Sequence, residues 1–274
     1  MSYVELHAHS YYSLLDGASS PSDLVQQAVA LGMTALALTD HDAVYGIPAF
    51  VQAARKAGIK PIIGAELTLH DRSHLTLLVQ NMTGWRNLCA LITAARHNAP
   101  KGEARLPEDG LIGFTDGLIA LSGCRSGQIS AALGQGNLRA ALQYTFDFIQ
   151  LFGREHFWIE LQHHQRPQDN WLNAELADLA DSFGVGIVAT NNVHYATRSG
   201  HSLQDVLVCI REKTSLDEAQ HLRPNSEYHL KSADDMAVLF RDYPDALANT
   251  CRIAEVCTFD LPDGLQALPV YPTP

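Results

Sequence analysis

Side chains that can bind a metal ion stand directly after several short apolar runs of this sequence. They are His7 and His9 after the first run, Asp40, His41 and Asp42 after the second, Glu66 after the third, Cys124 after the fifth, and Asn192 and His194 after the seventh. If the runs are parallel strands, their carboxyl ends share one face of a sheet or barrel. We therefore expect these distant residues to meet in a single pocket.

His7 and His9 are spaced to bind one metal ion together. In an extended segment, residues i and i+2 point to the same side. Imidazole and carboxylate ligands suit zinc, manganese or iron. A bridging carboxylate such as Glu66 could join two ions, and neighbouring ions polarise a phosphoryl oxygen and generate hydroxide for in-line attack. The pattern therefore favours metal-dependent phosphoryl chemistry.

Each of these residues also has a structural alternative. Asp40 can cap the following helix, Cys124 can be a small buried apolar side chain, and Asn192 can belong to a turn. The coincidence of different ligand types at the same end of successive runs favours the metal site. His74 precedes its run, so we expect it at the opposite end of the barrel. Structural roles are also expected for His70, His156, His163, His164, His201, His221 and His229.

Seven apolar, β-branched runs must position these residues. They are Tyr3–Leu6, Ala35–Leu38, Pro61–Gly64, Leu75–Val79, Leu118–Leu121, Trp158–Leu161 and Gly186–Ala189. Helical patterns lie between most of them. The first is well delimited, because Ser20 can cap it, Pro21 occupies its first position and Gly32 follows its end. Repeated strand–helix–strand units predict an α/β fold with a parallel sheet or barrel.

The pattern changes after Tyr195. Residues 201–260 are predicted to form helices and turns with little strand character. The tail LPDGLQALPVYPTP is rich in proline, and we expect it to be a linker at which a longer protein is truncated.

Composition limits the classes of function. The chain has 274 residues, a formal net charge of −11 and five cysteines without a CxxC pair. The acidic balance disfavours tight nonspecific DNA binding by this segment alone, although bound cations can supply positive charge locally. The odd number of cysteines, the lack of a CxxC pair and the lack of a secretory signal indicate the cytoplasm. No apolar run is long enough to span a membrane.

Several segments together resemble a known family. ELHAHSYYSLLDGAS, ALALTDHDAVYGIPAF, GIKPIIGAELTL, ALSGCRSG and VATNNVHYAT are similar, in order and spacing, to the polymerase and histidinol phosphatase (PHP) domain of bacterial DNA polymerase III alpha subunits. The segments ELQHH, VATNNVHYAT and CTFDL most resemble the error-prone, damage-inducible branch. The resemblance implies a distorted seven-stranded (β/α)7 barrel over residues 1–200, a helical extension toward the polymerase palm over 201–261, and a truncated linker over 262–274.

The resemblance also implies a site with up to three divalent ions. Its expected metal ligands are His7, His9, Asp16, His41, Glu66, His97, Cys124, Asn192 and His194. Asp40 is expected to orient a ligand, and Arg125 to contact a phosphate. Catalytically competent members carry Asp where this chain has Asn192, and an amide is a neutral and weaker ligand. The family's 3′–5′ exonuclease activity is therefore expected to be weak or absent.

Three functions remain open from the sequence. The first is a metal-binding module of an error-prone polymerase active in translesion synthesis and DNA repair. The second is an active metal-dependent phosphoesterase or exonuclease. The third is a free-standing phosphatase of the histidinol-phosphate type, which the proline-rich tail disfavours. The resemblance implies as partners the remainder of the polymerase chain, DNA through that chain, the sliding clamp and mutagenesis-accessory proteins.

Overall fold

The structure, a computed structural model, describes residues 2–97, 99–100, 102–220 and 222–262. Six strands and nine α-helices are found within these ranges. The strands are β1 (Ala35–Leu38), β2 (Lys60–Thr68), β3 (His74–Val79), β4 (Leu118–Leu121), β5 (Phe157–Gln162) and β6 (Gly186–Thr190). The helices are α1 (Pro21–Ala30), α2 (Ile47–Ala57), α3 (Met82–His97), α4 (Gln128–Gly134), α5 (Leu138–Phe152), α6 (Asp169–Phe183), α7 (His201–Glu212), α8 (Ala233–Leu239) and α9 (Pro244–Val256). A short 3₁₀ turn, Arg198–Gly200, precedes α7.

The strands form one curled, mixed sheet in the order β1-β2-β3-β4-β5-β6. β1 pairs with β2 in parallel, and β4, β5 and β6 are parallel to one another, but β3 is antiparallel to both of its neighbours. The expectation of an all-parallel sheet is therefore wrong at β3. Only residues 69–73 separate β2 from β3, and a parallel connection needs a crossover of a dozen or more residues.

The first predicted strand, Tyr3–Leu6, forms only isolated bridges in the described structure. Glu5 bridges Leu36 of β1, and Ala8 bridges Val193 just after β6. The segment therefore lies between the two edge strands of the sheet. Its own amides are partly taken by side chains, since Val4 N–H donates to Thr250 Oγ1 and His7 N–H to Glu5 Oε1. A regular strand ladder cannot form through amides that are used in this way.

Helix α1 begins as its sequence predicts. The Ser20 hydroxyl accepts a hydrogen bond from Asp23 N–H, and the Asp23 carboxylate accepts one from Ser20 N–H. Such a capping box satisfies two donors that the first helical turn leaves free. The buried face of α1 includes Leu24 and Ala28, which pack in the main hydrophobic core with the sheet and the other helices. This core fixes the strands whose ends carry the polar side chains.

A second apolar cluster fills the inside of the sheet at the end away from those polar side chains. Its members are Val4, Leu6, Ala35, Ala37, Ile62, Leu78, Ile119, Leu121, Val188, Ile253, Ala254 and Cys257. The last three belong to α9 or follow it directly, so α9 covers this end of the sheet. Asn249 Nδ2 of the same helix donates to Ile187 O of β6 at 2.8 Å. The interior of the curled sheet is therefore filled by apolar side chains at one end and lined by polar side chains at the other.

Residues 201–260 were predicted to form helices and turns, and helices α7, α8 and α9 are found there. The proposed domain boundary at residue 200 stays a prediction, and residues 263–274 of the predicted linker lie outside the described residues. None of the helices in the described ranges combines the length and apolar character needed to cross a bilayer.

Candidate metal centre

The carboxylate of Glu66 lies at the centre of a cluster of imidazoles. Glu66 is in β2, and its side chain is 1% exposed. Its Oε2 lies 3.4 Å from His7 Nε2, 3.2 Å from His9 Nε2 and 3.3 Å from His41 Nδ1. Its Oε1 lies 2.9 Å from His74 Nδ1. One carboxylate thus faces four imidazole nitrogens, an arrangement suited to bridging metal ions.

Asp16 is the second carboxylate of the cluster. Its Oδ2 lies 3.2 Å from His41 Nε2 and 2.8 Å from His194 Nε2. Two guanidinium groups also contact this carboxylate, with Arg211 Nη1 at 3.0 Å from Oδ1 and Arg223 Nη2 at 3.4 Å from Oδ2. His41 therefore lies between Asp16 and the Glu66 carboxylate.

Several atoms of the cluster that could coordinate a metal ion are buried but have no hydrogen-bond partner. They are His7 Nε2, His9 Nε2, Glu66 Oε2 and Asn192 Oδ1. Orphaned polar atoms are costly in a protein interior unless a ligand or ion satisfies them. Three overlapping groups have ligand atoms within 4.8 Å of one another: His9, His41 and His194; His7, His9 and Glu66; and His41, Glu66 and His74. This donor set fits divalent cations that favour nitrogen and oxygen ligands.

Cys124 brings a thiol to the same pocket. Its buried Sγ lies 3.5 Å from Glu66 Oε1 and 3.6 Å from His74 Nδ1. The residue follows β4 in a tight turn, where Ser126 N–H points to the same sulfur at 3.4 Å. A thiolate here would add a soft ligand to the nitrogen and oxygen donors.

A further layer of hydrogen bonds orients the first two histidines. His7 Nδ1 lies 2.7 Å from Glu160 Oε1 of β5, which leaves its Nε2 directed at Glu66. His9 Nδ1 lies 3.1 Å from Ser13 Oγ, whose hydroxyl donates to Asp40 Oδ1 at 2.7 Å. Such hydrogen bonds fix the tautomer and ring orientation of metal-binding histidines.

The charges of the cluster compensate one another. Burial alone would raise the pKa of Glu66, but the imidazoles of His74 and His7 hold it well below its usual range. Burial alone would lower the pKa of His74, but Glu66 raises it to about 12. Burial and the nearby Arg223 guanidinium lower the pKa of His194 to about 4. Glu66 is thus stabilised as an anion that can bind either protonated imidazoles or metal cations.

The structure brings seven of the expected ligands into this one cluster and places an eighth on its wall. The seven are His7, His9, Asp16, His41, Glu66, Cys124 and His194, and Asn192 lines the same pocket. His97 differs, because it is exposed at the last residue of α3 and is absent from the pocket wall.

His74 lies in the cluster, with its Nδ1 2.9 Å from Glu66 Oε1, so its predicted position at the opposite end of the barrel is wrong. The physical reason is the reversed direction of β3, which puts the first residue of that strand at the end where its parallel neighbours finish. The residues 69–73 between β2 and β3 are too few for a crossover, and that short spacing was the sequence signal for this ligand.

Arg125 and Asp40 lie behind the cluster. The Arg125 guanidinium pairs with the buried Asp169 carboxylate and is not part of the pocket wall. The Asp40 oxygens accept hydrogen bonds from Ser10 and Ser13. The phosphate contact of Arg125 stays a prediction, and in the structure its guanidinium pairs with Asp169.

Two arginines of the pocket were not identified from the sequence. Arg211 is in α7 and Arg223 is in the segment between α7 and α8, and both line the pocket with Asp16 and His41. Both lie in the helical region beyond residue 200, outside the seven predicted strands, so the rule that finds ligands at strand ends cannot find them.

Comparison with known proteins agrees with the resemblance seen in the motifs. Residues 5–164 match the PHP domain family. The whole chain is 39% identical to DNA polymerase III subunit alpha of Treponema pallidum and 42% identical to error-prone DNA polymerase of Symbiobacterium thermophilum. It spans only 25% and 27% of the length of those two proteins.

One solved structure supports the fold. An amidohydrolase from Chromobacterium violaceum, crystallised with bound sulfate and no metal, aligns with a TM-score of 0.52 at 17% identity, over 71% of this chain and 88% of its own. On the family match and the two polymerase relatives, this chain belongs to the PHP domain family, in the form shared with DNA polymerase III alpha subunits and error-prone DNA polymerases.

Proposed function

We propose that this chain is the metal-binding PHP domain of an error-prone DNA polymerase, and that its own hydrolytic activity is weak or absent. The observation that carries the metal site is the set of three overlapping donor groups around Glu66, with unpartnered ligand atoms aimed inward. Zinc, manganese and iron all suit this mixed set of donors, and up to three ions is the number we propose.

The ligands would be the cluster residues themselves, with His74 taking the place first assigned to His97. They are His7, His9, Asp16, His41, Glu66, His74, Cys124, Asn192 and His194. Bound divalent cations would supply Lewis-acid polarisation of a phosphoryl oxygen and an acidified water. Within the chain, Glu160 orients His7, and Asp40 acts on His9 through Ser13.

Asn192 is the residue that argues for weak hydrolysis. Its backbone has φ 44°, a left-handed conformation that Asn tolerates better than most residues. Its Oδ1 is buried without a hydrogen-bond partner, and its main-chain oxygen lies 2.8 Å from His194 Nδ1. An amide oxygen here can still bind a cation, but it does not offset the cation's charge.

A second candidate, an active phosphoesterase, is favoured by a different observation. Arg211 and Arg223 reach the pocket wall, where guanidinium groups can stabilise negative charge on a phosphoryl group. The two candidates share the metal site and differ in the rate at which a phosphate ester is cleaved.

The decisive experiment compares wild type with Asn192→Asp. Asn137→Asp is the matched control, because it adds the same charge at the N-cap of α5, where Asp is as favourable as Asn. We would measure metal per chain by mass spectrometry and release of 3′ nucleotides from single-stranded DNA with manganese or zinc. We expect Asn192→Asp to bind metal more tightly and to cleave at least 10-fold faster than wild type and control.

Wild type that releases 3′ nucleotides from DNA, and does so as fast as Asn192→Asp, would refute the weak-hydrolysis proposal and support the phosphoesterase candidate. If His9→Ala holds as much metal as wild type, the assignment of the cluster as the metal site is wrong.

The activity of the whole protein is also a proposal, since the chain spans about a quarter of its polymerase relatives. We propose that the intact protein synthesises DNA across lesions and contacts DNA through regions outside this chain. The clamp and the accessory proteins would likewise be recruited elsewhere in that protein.

A further inference from the structure

The chain between α7 and α8 includes a segment, residues 223–231, that docks against the residues just beyond β6. His194 N–H donates to Tyr228 O at 2.8 Å, and Leu230 N–H donates to Tyr195 O at 3.2 Å. The two stretches also share a parallel bridge. This docking segment therefore pairs with the chain that leaves the last strand, although it belongs to the helical region beyond residue 200.

The side chain of Asn191 joins the docking segment to the end of β6. Its Nδ2 donates to Glu227 O at 2.8 Å and to His229 O at 2.7 Å, and its Oδ1 accepts a hydrogen bond from Lys231 Nζ at 3.1 Å. Asn191, Glu227 and Lys231 are at most 5% exposed. Losing these hydrogen bonds is costly, because a buried polar group left without a partner is not compensated by water.

The main chain of Asn191 is fixed from two other directions. Its N–H donates to Glu5 Oε2 at 3.0 Å, and its carbonyl oxygen lies 2.8 Å from His164 Nε2. Glu5 belongs to the N-terminal segment, and His164 follows β5. Asn191 thus connects the N-terminal segment, the end of β5 and the docking segment at one buried point.

Two candidate metal ligands lie directly after this point. Asn192 follows Asn191, and its φ of 44° is a left-handed conformation that a non-glycine residue keeps only where its surroundings hold it. The main-chain oxygen of Asn192 lies 2.8 Å from His194 Nδ1, so the backbone of one ligand orients the imidazole of the other. The Tyr228 ring lies edge-on to that imidazole, with the ring centres 6.1 Å apart. Docking of the segment therefore fixes both ligands.

At least two other candidate ligands are positioned without the docking segment. His7 is oriented by Glu160 of β5, and Glu66 is part of β2. Partners that orient a metal-binding side chain contribute 10- to 100-fold to metal affinity. Release of the docking segment should therefore weaken binding by Asn192 and His194 and leave His7 and Glu66 in place.

We infer that Asn191 is a positioning residue of the proposed metal site, through which the docking segment holds Asn192 and His194 in place to bind a cation. The inference rests on the proposed function, because it concerns the same ions. Coupling between two equilibria is reciprocal, so a bound cation should in turn hold the docking segment in place. The helical region beyond residue 200 is thereby sensitive to metal occupancy.

The test compares Asn191→Ala with Asn249→Ala. Asn249 is the matched control, because it is also buried and its Nδ2 donates to Ile187 O of β6, at the apolar end of the sheet. Zinc affinity would be measured by competition with a chelator, and ligand geometry from the visible absorption of bound cobalt(II). We expect Asn191→Ala to bind at least one zinc ion about 10-fold more weakly and to change the cobalt spectrum.

The control separates positioning from a general loss of stability. Both substitutions should lower the free energy of unfolding, but Asn249→Ala should keep the zinc affinity and the cobalt spectrum of wild type. If the zinc affinity and the spectrum of folded Asn191→Ala equal those of Asn249→Ala, the inference is overturned.

Amide hydrogen exchange tests the reciprocal effect. In wild type, zinc should slow exchange of the Leu230 amide about 10-fold more than exchange of the Thr258 amide. The Thr258 amide is the internal reference, because it donates to Gln80 O at the apolar end of the sheet. Asn249→Ala should show the same difference, and Asn191→Ala should lose it. Equal slowing of both amides in wild type overturns the inference, and this measurement decides if Asn191→Ala does not fold.

Failure of the proposed metal site has a separate signature. Wild type that binds neither zinc nor cobalt refutes that site. The link from Asn191 to His194 is then judged in the metal-free proteins by exchange of the His194 amide, which donates to Tyr228 O. Faster exchange in Asn191→Ala than in Asn249→Ala supports the link, and equal exchange overturns it.

Discussion

Substitution of Glu160 tests whether the hydrogen bond behind His7 controls metal affinity. Three donors converge on Glu160 Oε1: His7 Nδ1 at 2.7 Å, Gln162 Nε2 at 2.8 Å and the hydroxyl of Thr190. The other oxygen, Oε2, is buried without a hydrogen-bond partner. In Glu160→Gln, a carbonyl in the Oε1 position can keep all three hydrogen bonds. The variant therefore removes the charge without releasing the imidazole.

The magnitudes follow from this geometry. Loss of carboxylate partners behind a metal-binding histidine costs 10- to 100-fold in metal affinity. Glu160→Gln keeps the orientation of His7, so we expect about a 10-fold loss, or about 1.4 kcal/mol. Glu160→Ala also releases the ring, and we expect about a 100-fold loss. The new amide NH₂ of the Gln variant would take the position of the unpartnered Oε2. Because it would be buried without a hydrogen-bond acceptor, we expect it to lower folding stability by about 1 to 3 kcal/mol.

The assay is a zinc titration against a chelator of known affinity, run beside urea unfolding of each metal-free variant. Glu155→Gln is the control, because Glu155 is exposed and its substitution removes the same charge. The reasoning fails if both Glu160 variants are folded and bind zinc within 2-fold of wild type, where twofold is about 0.4 kcal/mol.

Two further predictions concern the fold. A Cβ added at Gly84 of α3 would lie 1.9 Å from Gly117 O, whereas one added at Gly134 meets nothing within 4 Å. In urea unfolding, we expect Gly84→Ala to lower the free energy of unfolding by more than about 2 kcal/mol and Gly134→Ala to leave it unchanged. Similar stabilities of the two variants would contradict this expectation. Burial lowers the pKa of Lys231 to about 8 from 10.5, although Glu227 opposes the shift, so the unfolded chain binds this proton more tightly. Between pH 8 and pH 10.5, the free energy of unfolding of wild type should therefore rise by roughly 3 kcal/mol relative to that of Lys231→Met. A difference between the two proteins that does not change with pH would refute this prediction.

Strand positions were predictable from the sequence because short, continuous apolar runs are buried on both faces of the sheet. Ala35–Leu38 and Leu118–Leu121 are strands with the predicted bounds. The strand predicted at Tyr3–Leu6 is not a regular strand in the structure. Its Val4 amide donates a hydrogen bond to a side chain that is distant in sequence, that of Thr250. The apolar pattern of a segment predicts that the segment is buried, but it does not predict which atom accepts a hydrogen bond from each backbone amide.

The candidate site was predictable where ligands follow parallel strands. His7, His41 and Glu66 meet as the pattern indicates. His74 was missed because strand direction was inferred from the neighbouring runs and not from the length of the connection before it. Arg223 was missed because its position depends on stacking with Tyr228, which leaves no periodic signal in the sequence.

The placement of the N-terminal segment has a consequence for the order in which the molecule assembles. Residues 5–9 are fixed on one side by Leu36, close in sequence, and on the other by Val193, which follows the last strand. Closing so large a loop is entropically slow compared with forming local hairpins and helices. His7 and His9 thus become rigid only once β6 is in place. At the proposed metal site, binding of one cation by both imidazoles would therefore require that the two edges of the sheet have already come together.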